Sequence, residues 1–189
     1  MIPAHVVPGK SIRDVTGRRD DMKIIKQTTY ETCLASVLLM LISESWSRNK
    51  EIEIWKHGWE FNYLIGQLNY VAKKYKKNFV VYIENRYYFK KLQKEKSGEI
   101  KLVNSKMDIR LIEKLLKSGS VIVYLDNYYL RKIVHAPHFV LAEKCKDDTI
   151  EIADPYDGKR KKISGKIINK AIISLRNHLK YSPVLIRVC

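Results

Sequence analysis

Between Gln27 and Ile42 the chain reads QTTYETCLASVLLMLI, and no other stretch limits the fold as strongly. Leu34, Val37, Leu38, Leu41 and Ile42 recur at three-to-four spacing, which predicts a helix starting near Tyr30, with Thr28 or Thr29 as N-cap and Glu31 in the first turn. The apolar run from Leu34 to Ile42 includes Ser36 and is about half a membrane span, so it belongs inside a protein core. One thiol, Cys33, sits where this helix begins. A thiolate there faces unpaired backbone N–H groups and the positive end of the helix dipole, which favours the anion and makes it a better nucleophile. Gln27 precedes it by six positions. From there a side-chain amide could donate to an oxyanion forming on a carbonyl attacked by the sulfur. The competing reading is a cysteine that only fills the core, the commoner fate of a thiol on an apolar helix.

At 189 residues the chain is expected to form one domain over 23–189, preceded by an N-terminal arm over 1–22 that carries Pro3, Pro8, Gly9, Gly17 and a charged RRDD cluster. Thirty-six basic against twenty acidic residues give a net charge of +16. Such a balance implies attraction to polyanions, acidic substrates or anionic membrane surfaces. KKYKK at 73–77, KKLQKEK at 90–96 and GKRKK at 158–162, with RYYF at 86–89, could meet phosphates and stack on bases. No nucleic-acid motif accompanies them, so nucleic acid is not the favoured partner, and these charges read as solvated faces. Three cysteines with no CxxC pair argue against a disulfide framework or zinc site and fit a reducing compartment. The opening MIPAHVVPGK lacks the apolar core of a signal peptide. A cytoplasmic protein without a membrane span is expected.

After the first helix, SESWSRNKE reads as a polar connection. Trp55 and Trp59 open a second amphipathic helix, with Phe61, Leu64, Ile65, Leu68, Val71, Ala72 and Tyr75 on one face and Gly66 as a weak point, running to about Lys77. FVVYI at 79–83 reads as a buried strand, whereas 85–96 has no clear period. A capping-box spacing at Ser105–Asp108 precedes a helix through Ile109, Ile112, Leu115 and Leu116, closed by Gly119. Strands are predicted over 120–125, 138–143, 149–153 and 183–188, with KCKDD as a hairpin turn and PYDG leading to a short strand near 161–164. A helix fills 166–179. Helices first and antiparallel strands after indicate an α+β domain.

A thiol nucleophile needs a base to take its proton and an orienting partner for that base. His138 opens one predicted strand and Asp154 ends the next, sixteen positions on. In an antiparallel hairpin these positions approach, so the Asp154 carboxylate can fix the ring and stabilise its charged form. His135 is the alternative base if the strand begins earlier. His135 and His138, as HAPH, have a metal-compatible spacing but no second ligand pair, and no metal is expected. Asp126 and Asn127 are assigned to a turn, and Cys145 and Cys189 have no neighbouring base.

Taken in order, QTTYETC, HFVLAE and IADPYDG resemble the papain-like cysteine peptidases of the bacteriocin-processing, double-glycine leader group. Those domains have a Gln before a helix-starting Cys, a His leading a hydrophobic strand, and an Asp-Pro after the next strand. The resemblance runs from about residue 23 onward. It implies a papain-like α+β fold, an N-terminal helical part carrying the Cys helix packed on a C-terminal antiparallel sheet. It also implies Gln27 as oxyanion donor, Cys33 as nucleophile, His138 as base and Asp154 as orienter, with no cofactor and a peptide or protein substrate. The expected activity is hydrolysis of peptide or related amide bonds through an acyl-enzyme on Cys33. The alternatives are an acyl transferase using the same thiol, or a catalytically inactive papain-like module binding peptide or nucleic acid. One departure stands beside the nucleophile, where that group commonly has Gly and this chain has Leu34, a residue that would narrow the cleft or mark a loss of catalysis.

Overall fold

A computed structural model describes residues 23–189 except Phe61, so the arm over 1–22 and that phenylalanine lie outside the described residues. The apolar run forms helix α1 (Cys33–Leu41), which is buried from Cys33 through Met40. It begins later than its periodicity predicts because residues 29–31 form a turn, in which the Thr32 N–H and hydroxyl both donate to the Thr29 carbonyl. The polar stretch after it is not a simple connection. Ser47 accepts from the Lys50 N–H and starts α2 (Arg48–Lys56), whose fully buried positions are Ile54 and the charged Glu51. A helix that buries a carboxylate carries no clear apolar period, which is why the sequence reads there as a linker.

Helix α3 (Tyr63–Tyr75) follows, capped by Asn62. Gly66 is its point of closest approach, since a Cβ there would lie 2.0 Å from the His57 carbonyl oxygen. The glycine lets α2 and α3 meet. Strand β1 (Phe79–Ile83) occupies the stretch expected of it. The ambiguous segment after it is α4 (Arg86–Glu95), where the Asn85 side chain accepts from the Tyr88 N–H and only Leu92 is fully buried. Strand β2 (Ile100–Asn104) was not foreseen, and α5 (Ile109–Leu116) is capped by Asp108 rather than Ser105.

The remainder comprises β3 (Val121–Asp126), the single-turn α6 (Tyr128–Arg131), β4 (Pro137–Lys146), β5 (Thr149–Asp154), β6 (Lys159–Ser164), α7 (Gly165–Asn177) and β7 (Val184–Val188). Asp147 and Asp148 close the β4–β5 hairpin with φ of 49° and 58°, the left-handed pair a tight hairpin turn demands. Among the described residues seven strands form one sheet in the order β2-β1-β7-β3-β4-β5-β6. Every neighbouring pair is antiparallel except β1 and β2, which run parallel through the α4 crossover.

Two cores flank the sheet. One packs α1 and α3 against Ile122, Phe139, Leu141 and Ala153, and the other packs α5 and α7 against Val121, Val123, Val140 and Ile152. The result is an α+β fold with the Cys33 helix laid against β4. Among the described residues no helix is long and apolar enough to cross a membrane.

Candidate active site

The segment leading to Cys33 is fixed at two points before the helix starts. The Gln27 N–H donates to the Pro155 carbonyl at 2.7 Å, which ties it to the turn after β5. Thr28 then gives its N–H and its hydroxyl to the two oxygens of Glu51, at 2.7 and 2.8 Å. Thr32 is the N-cap without a side-chain bond to the helix, and Cys33 is its first residue, with only 6% of its surface exposed. The thiol therefore sits at the N-terminal end of a buried helix, beside backbone N–H groups that have no intrahelical acceptor.

His138 is the second residue of β4 and Asp154 the last of β5. The antiparallel register, with Leu141 opposite Ala153, brings the start of one strand to the end of the other. His138 Nε2 meets Asp154 Oδ1 at 2.9 Å. The other ring nitrogen is not engaged by Asp154, and Cys33 lies near enough to the imidazole to affect its titration. Burial alone would lower the basicity of this ring, but the hydrogen bond to Asp154 and the interaction with nearby Cys33 and with the Asp154 charge outweigh it and push His138 up to about 9. Asp154 is fully buried. Burial opposes its charge, yet His138 and Lys161 hold the carboxyl well below the usual carboxylate range.

Four groups satisfy the Asp154 carboxylate. Oδ1 takes His138 and the Tyr156 N–H at 3.0 Å, and Oδ2 takes Arg131 Nη2 at 2.5 Å and Lys161 Nζ at 2.8 Å. The Gln27 side chain is occupied differently from what an oxyanion donor in waiting would show. Its Nε2 donates to the Thr29 and Tyr30 carbonyls, at 2.7 and 3.1 Å, while its Oε1 is buried without a partner among the described residues. Tyrosines wall the thiol. The phenols of Tyr63 and Tyr124 are pushed up first by burial and then by the charge of nearby Cys33, and Tyr30 is raised for the same two reasons. Tyr156 meets both Tyr30 and His138 edge-on, with centroids 6.3 and 6.4 Å apart. Leu34 is completely buried in the α1 core, so its bulk fills the interior and not an open cleft.

The profile of the Peptidase_C39 like family matches residues 64–177, more than half of the chain. The chain belongs to the Peptidase_C39 like family. That match takes in His138 and Asp154 and begins after Gln27 and Cys33. A crystal structure described as that of a C39-like peptidase from Bacillus anthracis has the same fold, with a TM-score of 0.56 over 90% of this chain and 96% of the other, at 13% identity. Among the curated proteins none matches.

Other polar groups of this Peptidase_C39-like chain are placed away from the thiol. His135 pairs with Asp126, Nδ1 to Oδ2 at 2.6 Å, and stacks on Tyr128 with centroids 4.2 Å apart. The two histidines of HAPH thus serve different carboxylates. Asp126 is no ordinary turn residue, because it is fully buried and also accepts from Ser174 Oγ at 2.6 Å and from the N–H groups of Tyr128 and Ala136. Cys189 is exposed, and the Cys145 thiol is raised by burial and by Glu113, Asp148 and Asp147. Sequence reasoning missed Arg131 and Lys161. Lys161 was hidden in a basic run, and Arg131 lies in a one-turn helix with no period to reveal it.

Proposed function

We propose that this chain is a thiol hydrolase acting on peptide or related amide bonds. Cys33 is the nucleophile, His138 the base and general acid, and Asp154 the group that orients the ring. The Cys33 thiolate attacks the substrate carbonyl carbon, the C–N bond breaks, and the proton held on His138 passes to the departing amine. Water then attacks the thioester, His138 takes its proton, and the released acid leaves the thiolate and imidazolium as at the start. One observation carries this reading: His138 is buried, bonded to Asp154 at 2.9 Å, and near enough to Cys33 for the thiol to help raise the ring to about 9. A ring so raised holds a proton at neutral pH, as a thiolate–imidazolium pair requires.

Gln27 is the oxyanion donor in this reading. Its amide hydrogens must leave at least one of the Thr29 and Tyr30 carbonyls to serve there, so the donor becomes available only when the 27–32 turn adjusts around bound substrate. The test is hydrolysis of a broad peptide panel by the parent chain and by Cys33→Ala and His138→Ala. Turnover by the parent that both variants lose supports the hydrolase. A parent that binds peptides from the panel and cleaves none of them would instead assign the chain to the inactive, peptide-binding class.

A further inference from the structure

We infer that Arg131 is a positioning residue of this site, whose guanidinium on the far oxygen of Asp154 limits how tightly that carboxylate holds His138 in its protonated form. The inference rests on the thiol-hydrolase reading. An aspartate that only orients a histidine needs one hydrogen bond to the ring, and a buried carboxylate with no other partner would bind an imidazolium as a tight ion pair. Asp154 is placed differently. Arg131 Nη2 lies 2.5 Å and Lys161 Nζ 2.8 Å from its Oδ2, so two cations share the charge that faces His138.

Asp157 completes the arrangement, its Oδ2 lying 3.3 Å from Arg131 Nη1 and 2.7 Å from Lys161 Nζ. Arg131 is held from every side. Its Nε donates to Asn127 Oδ1 at 3.1 Å, and its Cζ lies 3.9 Å from the centre of the Tyr156 ring, the ring that also borders His138. Its helix α6 is fastened in turn by Asp126, which accepts from the Tyr128 N–H at 3.0 Å. The cation is therefore built in, with 11% of its side chain exposed, and a guanidinium stays charged throughout the working range of pH. The chemistry gives it a reason. His138 must hold a proton at rest and release it to the leaving amine, and an uncompensated Asp154 would retain that proton too strongly.

The inference is tested by following the His138 ring through its titration by NMR. Arg131→Gln should raise the midpoint by on the order of one unit, as expected for removing a cation a few ångströms beyond the carboxylate. Arg131→Lys, which keeps the charge and loses the fork and the stack, should stay near the parent. Lys161→Met, at a more exposed position, should raise the midpoint by less, and it decides the question if Arg131→Gln does not fold. With a cleavable peptide, Arg131→Gln should lower kcat severalfold and leave KM nearly unchanged. A folded Arg131→Gln protein with the parental midpoint, equal shifts in the Gln and Lys variants, or an unchanged midpoint in Lys161→Met when Arg131→Gln does not fold would overturn it. Cys33→Ala provides the separation from the hydrolase reading. If the His138 midpoint ignores that change, the thiol pairing fails, whereas the Arg131 arm still reports on the carboxylate alone.

Discussion

Glu51 holds Thr28 by both ends, its two carboxylate oxygens taking the backbone N–H at 2.7 Å and the hydroxyl at 2.8 Å. Ser36 Oγ and Trp46 Nε1 bring it two further hydrogen bonds, at 3.1 and 2.7 Å. A fully buried carboxylate served by neutral donors thus joins α1, α2 and the residue next to Gln27.

Glu51→Ala leaves those donors unpaired inside the protein and should cost about 3 kcal/mol or more, read from urea unfolding. Glu51→Gln keeps the shape and one acceptor oxygen, so its loss should be smaller. An Ala variant as stable as the parent would mean that water replaces the carboxylate at little cost.

Labelling with iodoacetamide at about pH 6.5 separates activation from access. Cys189 is exposed and Cys33 is buried, so accessibility alone ranks Cys189 first. Cys33 should nevertheless react fastest, and His138→Ala should slow it. Labelling that simply follows exposure, unmoved by the His138 change, would count against the nucleophile.

Gln27→Ala and Asp154→Ala should part company. In the proposed mechanism Gln27 acts only once an oxyanion forms, so its loss should cut turnover on the order of a hundredfold and leave Cys33 alkylation nearly unchanged. Asp154→Ala should lower both, since it orients the ring that pairs with the thiol. Full turnover in Gln27→Ala would show that the amide remains bound to the Thr29 and Tyr30 carbonyls throughout the reaction.

The pH dependence of stability follows from the signs of the two shifts. His138 is raised from 6.5 to about 9, so its contribution is complete below about 6.5 and is lost as pH rises through about 9. Asp154 is depressed, so its contribution is present above its ordinary 3.8 and is lost as pH falls through the lowered value. The destabilisation caused by His138→Gln should therefore be larger at about pH 6 than at about pH 10 in urea unfolding. Equal penalties at the two pH values would contradict the raised ring.

Gly66→Ala should destabilise despite the better helix propensity of alanine. The new methyl would meet the His57 carbonyl at 2.0 Å, and relieving that clash should cost about 1–3 kcal/mol by pushing α2 from α3. A thermal midpoint at or above the parent's would show that the α2–α3 junction yields easily.

Much of this architecture is legible from residue order, for reasons that differ by element. β1, β3, β4, β5 and β7 are β-branched or aromatic runs bounded by polar turns, and a buried strand has few other ways to be written. Helices α2 and α4 escape because what they bury is not apolar in pattern: Glu51 in one case, a lone fully buried Leu92 in the other. Only a three-dimensional contact explains Gly66. At the site, His138 and Asp154 could be matched because a hairpin makes sequence separation a measure of distance. Arg131 lies in the one-turn helix α6, 23 residues before Asp154, and no local rule connects the two. The Gln27 amide is a related case, since spacing put it near Cys33 but its orientation depends on the turn carbonyls beside it.

The basic run GKRKK takes on a different meaning because, among the described residues, β6 ends the sheet. The outer side of a terminal strand offers a row of amide and carbonyl groups on which a second chain can pair, and lysines along such a strand are a common defence. Lys159, Arg160 and Lys162 are exposed there, while Lys161 turns inward to Asp154 and Asp157. One six-residue strand thus sends Lys161 to the site, ties Arg160 to Glu143, and leaves Lys159 and Lys162 exposed along an edge where their charge would oppose pairing with a second chain.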